Sequence, residues 1–107
     1  MGRLFRLLGV LPALCYAPCL PMTNNAGVYT VVTRIGTPGQ PLNLVADTGS
    51  YNLLLASTLC TQRECSMHNV FNPAQSPTYV SGNFTTVTGY GQGQVMSRMA
   101  SDIVTLT

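Results

Sequence analysis

Residues 28–50 read VYTVVTRIGTPGQPLNLVADTGS. The first eight are apolar or β-branched almost throughout, which suits a pleated surface and predicts a strand over 28–35. Gly36-Thr37-Pro38-Gly39-Gln40-Pro41 is turn chemistry. Residues 42–46 alternate Leu42, Leu44 and Ala46 with Asn43 and Val45 and predict a second strand. The two strands form a β-hairpin with a loop longer than two residues. Asp47-Thr48-Gly49-Ser50 then breaks the strand pattern. A carboxylate therefore stands at a strand end, in a tight turn, where Gly49 admits close approach of backbone and the Thr48 hydroxyl can bond locally. Both features suit a carboxylate held in one orientation. An ordinary Asx turn capping a strand has the same residues, and the tripeptide alone does not separate the two.

Downstream, residues 52–56 (NLLLA) predict a short buried strand, and residues 57–81 are mostly loop. Residues 84–88 (FTTVT) and 95–106 read as the arms of another hairpin. Its tip is Tyr90-Gly91-Gln92-Gly93, whose two glycines can take positive φ. Upstream, residues 23–27 (TNNAG) are turn material. From Thr23 onward no stretch shows apolar residues at helical spacing over three turns, so the expected class is all-β.

The chain has 107 residues, at most one domain. Hydrophobic residues make up 46% and charged residues 7%, which argues against a disordered tail. The formal charge of +2 comes from scattered arginines, two of them Arg3 and Arg6. That leaves no basic patch for a phosphate backbone and excludes nucleic acid as an expected partner.

Residues 1–17 read MGRLFRLLGVLPALCYA: a positive start, an apolar run and small residues at its end. This is the layout of a secretory signal peptide, and the run is too short for a stable membrane span. Removal of Cys15 with such a leader leaves an odd number of cysteines: Cys19, Cys60 and Cys65. Cys60 and Cys65 bracket four residues, a spacing a disulfide can close. Two reduced thiols fit the spacing too, and a zinc site would need more ligands than the single His68 supplies. Asn83-Phe84-Thr85 is a glycosylation sequon.

Taken in order, these segments resemble the pepsin-type aspartic proteases. Tyr29-Thr30-Val31 with Ile35-Gly36-Thr37-Pro38-Gly39-Gln40 looks like that family's opening hairpin. Leu44-Val45-Ala46-Asp47-Thr48-Gly49-Ser50 with Asn52-Leu53 looks like its catalytic loop. Cys60 and Cys65 have the spacing of its first small disulfide loop, and 68–73 with 76–79 resemble the segment that follows. Tyr90-Gly91-Gln92-Gly93 resembles the tip of the flap that closes over substrate, and Asp102-Ile103-Val104 the strand after it. There are three departures. Leu54 stands where the family usually has a Trp that hydrogen-bonds the flap Tyr, so Tyr90 is expected to be less well anchored. Tyr51 replaces a usual Ser. Ser97 and Arg98 replace a Gly-aliphatic pair on the return arm.

The resemblance implies part of the N-terminal lobe of a pepsin-like acid protease barrel over 28–107, preceded by a short linker at 18–27. It implies a Cys60–Cys65 disulfide and a secreted or vacuolar, lumenal location. It implies an aspartic endopeptidase with peptide or protein substrates and neither cofactor nor metal. In such an enzyme two carboxylates activate one water; Asp47 is one of them, supported by Thr48, Gly49 and Ser50, with Tyr90, Gly91 and Gly93 on the substrate side. Glu64 and Asp102 lack the Asp-Thr/Ser-Gly setting, and Asp102 reads as a surface carboxylate. The second Asp is expected from a second lobe, with this chain a fragment that is inactive alone. The alternatives are a homodimer pairing two copies of Asp47, as in retroviral proteases, and a single lobe that binds peptide without cleaving it.

Overall fold

The computed structural model describes residues 19–91 and 93–106; the expected signal peptide at 1–17 and Gln92 of the expected tip lie outside these residues. The described part is an antiparallel β-structure with two short 3-10 turns. Strand β1 (Met22–Asn25) runs into β2 (Val28–Ile35), which pairs in turn with β3 (Gln40–Val45). The chain then passes through a long irregular stretch to β4 (Val80–Tyr90) and β5 (Gly93–Ser101), a hairpin of its own. It returns as β6 (Val104–Leu106), which pairs with the end of β2.

Strand β2 is the axis of the first sheet. Thr30 and Val31 pair with both β1 and β3, and residues 33–35 pair with both β3 and β6. A strand has two edges, so β1 and β6 follow one another along the edge that β3 leaves open. β2 has the bounds its composition predicts. The turn expected at 23–27, in contrast, shrinks to Ala26-Gly27 (φ 52° and 92°), because 22–25 fold back as β1. Two consecutive positive φ angles make the primed turn whose twist suits a hairpin, and Asn24 Oδ1 accepts from Gly27 N at 2.8 Å. Asn24 and Asn25 have little strand preference; the turn and the free edge of β2 make them part of a strand.

Ile35, Leu42 and Phe71 are buried together, with Leu44, Leu55 and Tyr79 packed against them. The alternation in β3 puts Leu42 and Leu44 on this side and leaves Asn43 and Val45 exposed. Phe71 is held by two backbone bonds, Phe71 N to Ala56 O at 2.9 Å and Thr58 N to Phe71 O at 2.8 Å. The Gln40 side chain bonds the next residue as a strand would: Nε2 donates to Asn72 O at 2.9 Å and Oε1 accepts from Asn72 N at 2.8 Å. The buried strand expected at 52–56 does not form. Apart from the Ser57–Phe71 bridge no ladder is present there, and Leu53 is 55% exposed. Its apolar run has hydrophobicity but no strand partner among the described residues.

The second hairpin is longer on its first arm than predicted and shorter on its second. Residues 82–84 stand opposite Met99 alone, a bulge in β4. A Cβ at Gly82 would lie 2.5 Å from Met99 O, so only glycine fits there. The expected sequon residue Asn83 is exposed on this bulge.

The second arm ends at Asp102 because that residue has other bonds to make. Its carboxylate is half-buried, not a free surface group. It accepts from Thr78 Oγ1 at 2.6 Å, Ser76 Oγ at 2.8 Å and Ile103 N at 2.8 Å. Ser76 Oγ also accepts from Thr37 N at 3.0 Å, and Gly36 N donates to Ile103 O at 2.9 Å. Both roots of the β4–β5 hairpin thus meet on one carboxylate, and the β2–β3 turn is bonded to two of its neighbours, Ser76 and Ile103. Gly36 is required here twice over: its φ is +86°, and an added Cβ would lie 2.7 Å from Ser76 Oγ. Gly36→Ala is expected to destabilise the fold by about 2–3 kcal/mol, read as a lowered urea midpoint.

Partial burial raises the Asp102 pKa, but the three hydrogen bonds outweigh it and the net shift is downward from 3.8. A carboxylate with a depressed folded-state pKa stabilises the fold above its unfolded value, and that contribution is lost as pH falls through the folded value. Urea midpoints are therefore expected to stay level above the ordinary value of 3.8 and to drop below it. Asp102→Asn is expected to flatten that drop.

Candidate functional site

Asp47 follows directly on β3. The ladder runs one residue past the strand, with Ala46 N donating to Tyr29 O at 2.8 Å, so the backbone entering Asp47 is fixed. Gly49 N donates to Asp47 Oδ1 at 2.8 Å, closing an Asx turn. A Cβ on Gly49 would approach that oxygen to 3.2 Å, which explains a glycine in the turn. The Gly49 amide and, after it, the Ser50 hydroxyl hold the Asp47 carboxyl below the usual aspartate value. Thr48, expected as a second hydroxyl partner, makes no hydrogen bond among the described residues; Ser50 takes that part.

Asp47 is exposed, but it borders a cleft of about 430 Å³. Ser50, Leu53, Leu54 and Leu55 line the cleft with it, and so does Tyr90 from the tip of the other hairpin. Asp47 and Tyr90, 43 residues apart in sequence, are brought to one space by the return of the chain. The Tyr90 hydroxyl has no hydrogen-bond partner among the described residues. Leu54, which lines the same cleft, has an apolar side chain and offers that hydroxyl no hydrogen bond.

The register of the hairpin assigns its faces. Thr86, Thr88, Val95 and Ser97 alternate onto the face of Tyr90. Thr86 Oγ1 and Ser97 Oγ lie 3.0 Å apart, and Thr88 and Ser97 are half-buried. Val87, Met96 and Arg98 occupy the other face and are exposed. Ser97 therefore shares the face of Tyr90, and Arg98 lies on the opposite, exposed face. Among the described tip residues only Gly91 has positive φ, at +52°; Gly93, the other glycine able to take it, begins β5 opposite Tyr90.

Two features were not read from the sequence. Leu53 to Leu55 form a cleft wall instead of a buried strand. Asn43, His68 and Asn69 line a smaller recess of about 160 Å³ and also border the main cleft. Alternation along β3 places Asn43, Val45 and Asp47 on one face, so Asn43 was legible in principle; the approach of His68 and Asn69 was not. Cys60 and Cys65 are joined in a disulfide, with Cα atoms 6.1 Å apart, which closes the loop beyond the cleft wall. No helix among the described residues is long and apolar enough to cross a membrane.

Comparison with known proteins gives this geometry a context. Residues 28–107 match the family model described as eukaryotic aspartyl protease. The chain is 39% identical to pepsin A of Gallus gallus over 105 residues, covering 90% of this chain and 28% of that protein. It is 44% identical to pepsin B of Canis lupus familiaris, covering 80% of this chain and 22% of that protein. Against cathepsin E of Aquarana catesbeiana the identity is 40%, with 80% and 22% covered. The chain thus spans between 22% and 28% of the length of these relatives. With the match running from the start of β2 through the Asp47 turn and the Tyr90 hairpin to residue 107, the chain belongs to the eukaryotic aspartyl protease family.

Proposed function

We propose that this chain supplies one of the two carboxylates of an aspartic endopeptidase, and that Asp47 is that carboxylate. The observation that carries the reading is the joint presence of Asp47 and Tyr90 on one apolar cleft, the acid fixed by its own turn and the aromatic ring arriving from a separate hairpin. The leucines beside them suit the apolar side chains of an extended peptide.

Peptide hydrolysis without a covalent intermediate needs a base to take a proton from water and an acid to polarise the scissile carbonyl. Two close carboxylates sharing one proton do both. The Gly49 amide and Ser50 hydroxyl favour the ionised form of Asp47, the form in which a carboxylate can take a proton from water. The protonated partner lies outside this sequence, which holds one Asp-Thr-Gly. Its source is the second lobe of a two-lobed enzyme. Tyr90 and the hairpin tip, with Gly91 and Gly93, cover the bound peptide and exclude water. The Cys60–Cys65 disulfide suits a secreted or vacuolar, lumenal enzyme.

The test is cleavage of an unfolded protein at acidic pH, by the chain alone and after mixing with a C-terminal lobe of a pepsin-type protease. Activity only in the mixture is the expected result. Activity of the chain alone, with a sedimentation mass of two copies, would replace the second lobe by a second Asp47. Peptide binding without cleavage in either arm would leave a binding lobe and refute the proposal.

A further inference from the structure

The hairpin bearing Tyr90 is long and is fastened at its base alone. The 11 residues of β4 extend over about 33 Å, and neither β4 nor β5 comes near any other strand. A lever of that length amplifies small changes: a tilt of about 5° at the base shifts the tip by about 3 Å. The position of Tyr90 over the cleft is therefore decided at the opposite end of the hairpin.

That end is organised around one side chain. Thr78 lies just before β4 and Asp102 just after β5, and Val80 and Ser101 are the first pair of the ladder between them. The bond from Thr78 Oγ1 to Asp102 Oδ1, 2.6 Å, clips the two legs together. The bond from Ser76 Oγ to Asp102 Oδ2, 2.8 Å, adds the turn that leads into β4. Thr37 fastens this unit to the β2–β3 turn, its N–H donating to Ser76 Oγ at 3.0 Å and its Oγ1 lying 3.0 Å from Thr78 Oγ1. The β2–β3 hairpin carries Asp47 beyond its other end. The same rigid sheet thus holds the acid at one end and the hinge of the cover at the other.

We propose that Asp102 is a positioning residue: its carboxylate clasps the two legs of the hairpin to the β2–β3 turn and so aims Tyr90 at the cleft. The inference rests on reading the hairpin as the cover of that cleft. The groups bonded to Asp102 are the Ser76 and Thr78 hydroxyls and the Ile103 amide, and the β2–β3 turn joins them through Thr37; none of these groups titrates in the acid range. Loss of the carboxylate charge therefore weakens the clasp with no neighbouring charge to compensate.

The experiment is nuclear magnetic resonance on the full chain, reading Overhauser contacts between the Tyr90 ring and the methyl groups of Leu53, Leu54 and Leu55. Asp102→Asn and Thr78→Val are expected to weaken these contacts about threefold or more, because the contact falls steeply with distance and the lever moves the tip by about 3 Å. Thr78→Ser, which keeps the hydroxyl, is expected to retain them. Contacts between Val87 and Met96 across the hairpin, and between the Phe71 and Tyr79 rings, should persist in all three. A merely structural role would instead weaken these internal contacts together with those of Tyr90, and that outcome overturns the proposal. Unchanged Tyr90 contacts in Asp102→Asn and Thr78→Val overturn it as well. A second measurement leaves the clasp unsubstituted. In Asp47→Asn the side-chain carboxyls left are Glu64 and Asp102, so carboxyl carbon shifts follow Asp102 directly as pH is lowered. The Tyr90 contacts should weaken in step with Asp102; constant contacts through its transition overturn the proposal. Absence of the contacts in the unsubstituted chain removes the cover reading and the proposal with it.

Discussion

Asp47→Asn is expected to reduce peptide cleavage by the assembled enzyme by about a thousandfold or more, the scale lost when a general base is removed. The amide oxygen of Asn can still accept from the Gly49 N–H that now bonds Asp47 Oδ1 at 2.8 Å, so the turn should keep its shape. What disappears is the ability to take a proton from water. The loss should therefore fall on kcat with little change in KM, since the leucines and Tyr90 that line the cleft are untouched. An unchanged urea midpoint near neutral pH would show that the fold survives. The acid limb gives a second check. A base must be ionised to act, so activity falls as pH drops through the Asp47 value. The Gly49 and Ser50 bonds place that fall below the ordinary aspartate value of 3.8. Ser50→Ala should move the limb upward. Cleavage that persists in Asp47→Asn would end the proposed function.

Phe71→Ala is expected to lower stability by about 3–4 kcal/mol, the cost of emptying an aromatic site in a core that cannot collapse onto it. Phe71 is 3% exposed and, among the described residues, is one of three buried hydrophobic residues in a thin core, beside Ile35 and Leu42. Its ring meets Tyr79 at a centroid distance of 6.0 Å, and Leu55 packs against the same cluster. The backbone bonds of Phe71 to Ala56 and Thr58 carry the disturbance to the wall of the cleft. At about 1–2 kcal/mol per molar of urea, the midpoint should fall by roughly 2 M or more, a large part of what a chain of this size has. Phe71→Leu should cost less than half as much. A shift below about 1 kcal/mol in Phe71→Ala would show that this cluster is not what holds the fold.

Much of the sheet could be read along the chain, because β2 and β3 form a local hairpin whose alternation and turn residues agree. The Asp47 turn was legible for the same reason: aspartate, glycine and serine within four residues determine an Asx turn and its hydrogen bonds without help from elsewhere. The strand at 22–25 was hidden, since Thr23, Asn24 and Asn25 pair only because β2 offers an edge. Residues 52–56 misled in the other direction, as an apolar run reads the same in a strand and in a cleft wall. Asp102 looked like a solvent carboxylate because Ser76 and Thr78, more than twenty residues earlier, are invisible as its partners from its own neighbours.

Composition, periodicity and turn chemistry thus determined the class of the fold, its first hairpin, the reach of the Cys60–Cys65 loop and the acid at the strand end. The meeting of Asp47 with Tyr90, the register that puts Ser97 and not Arg98 on the face of Tyr90, and the clasp at Asp102 were decided by the tertiary structure alone. The physical reason is range. Local bonds depend on residues a few places apart, whereas these three depend on how far the second hairpin travels and on which edge of β2 it returns to.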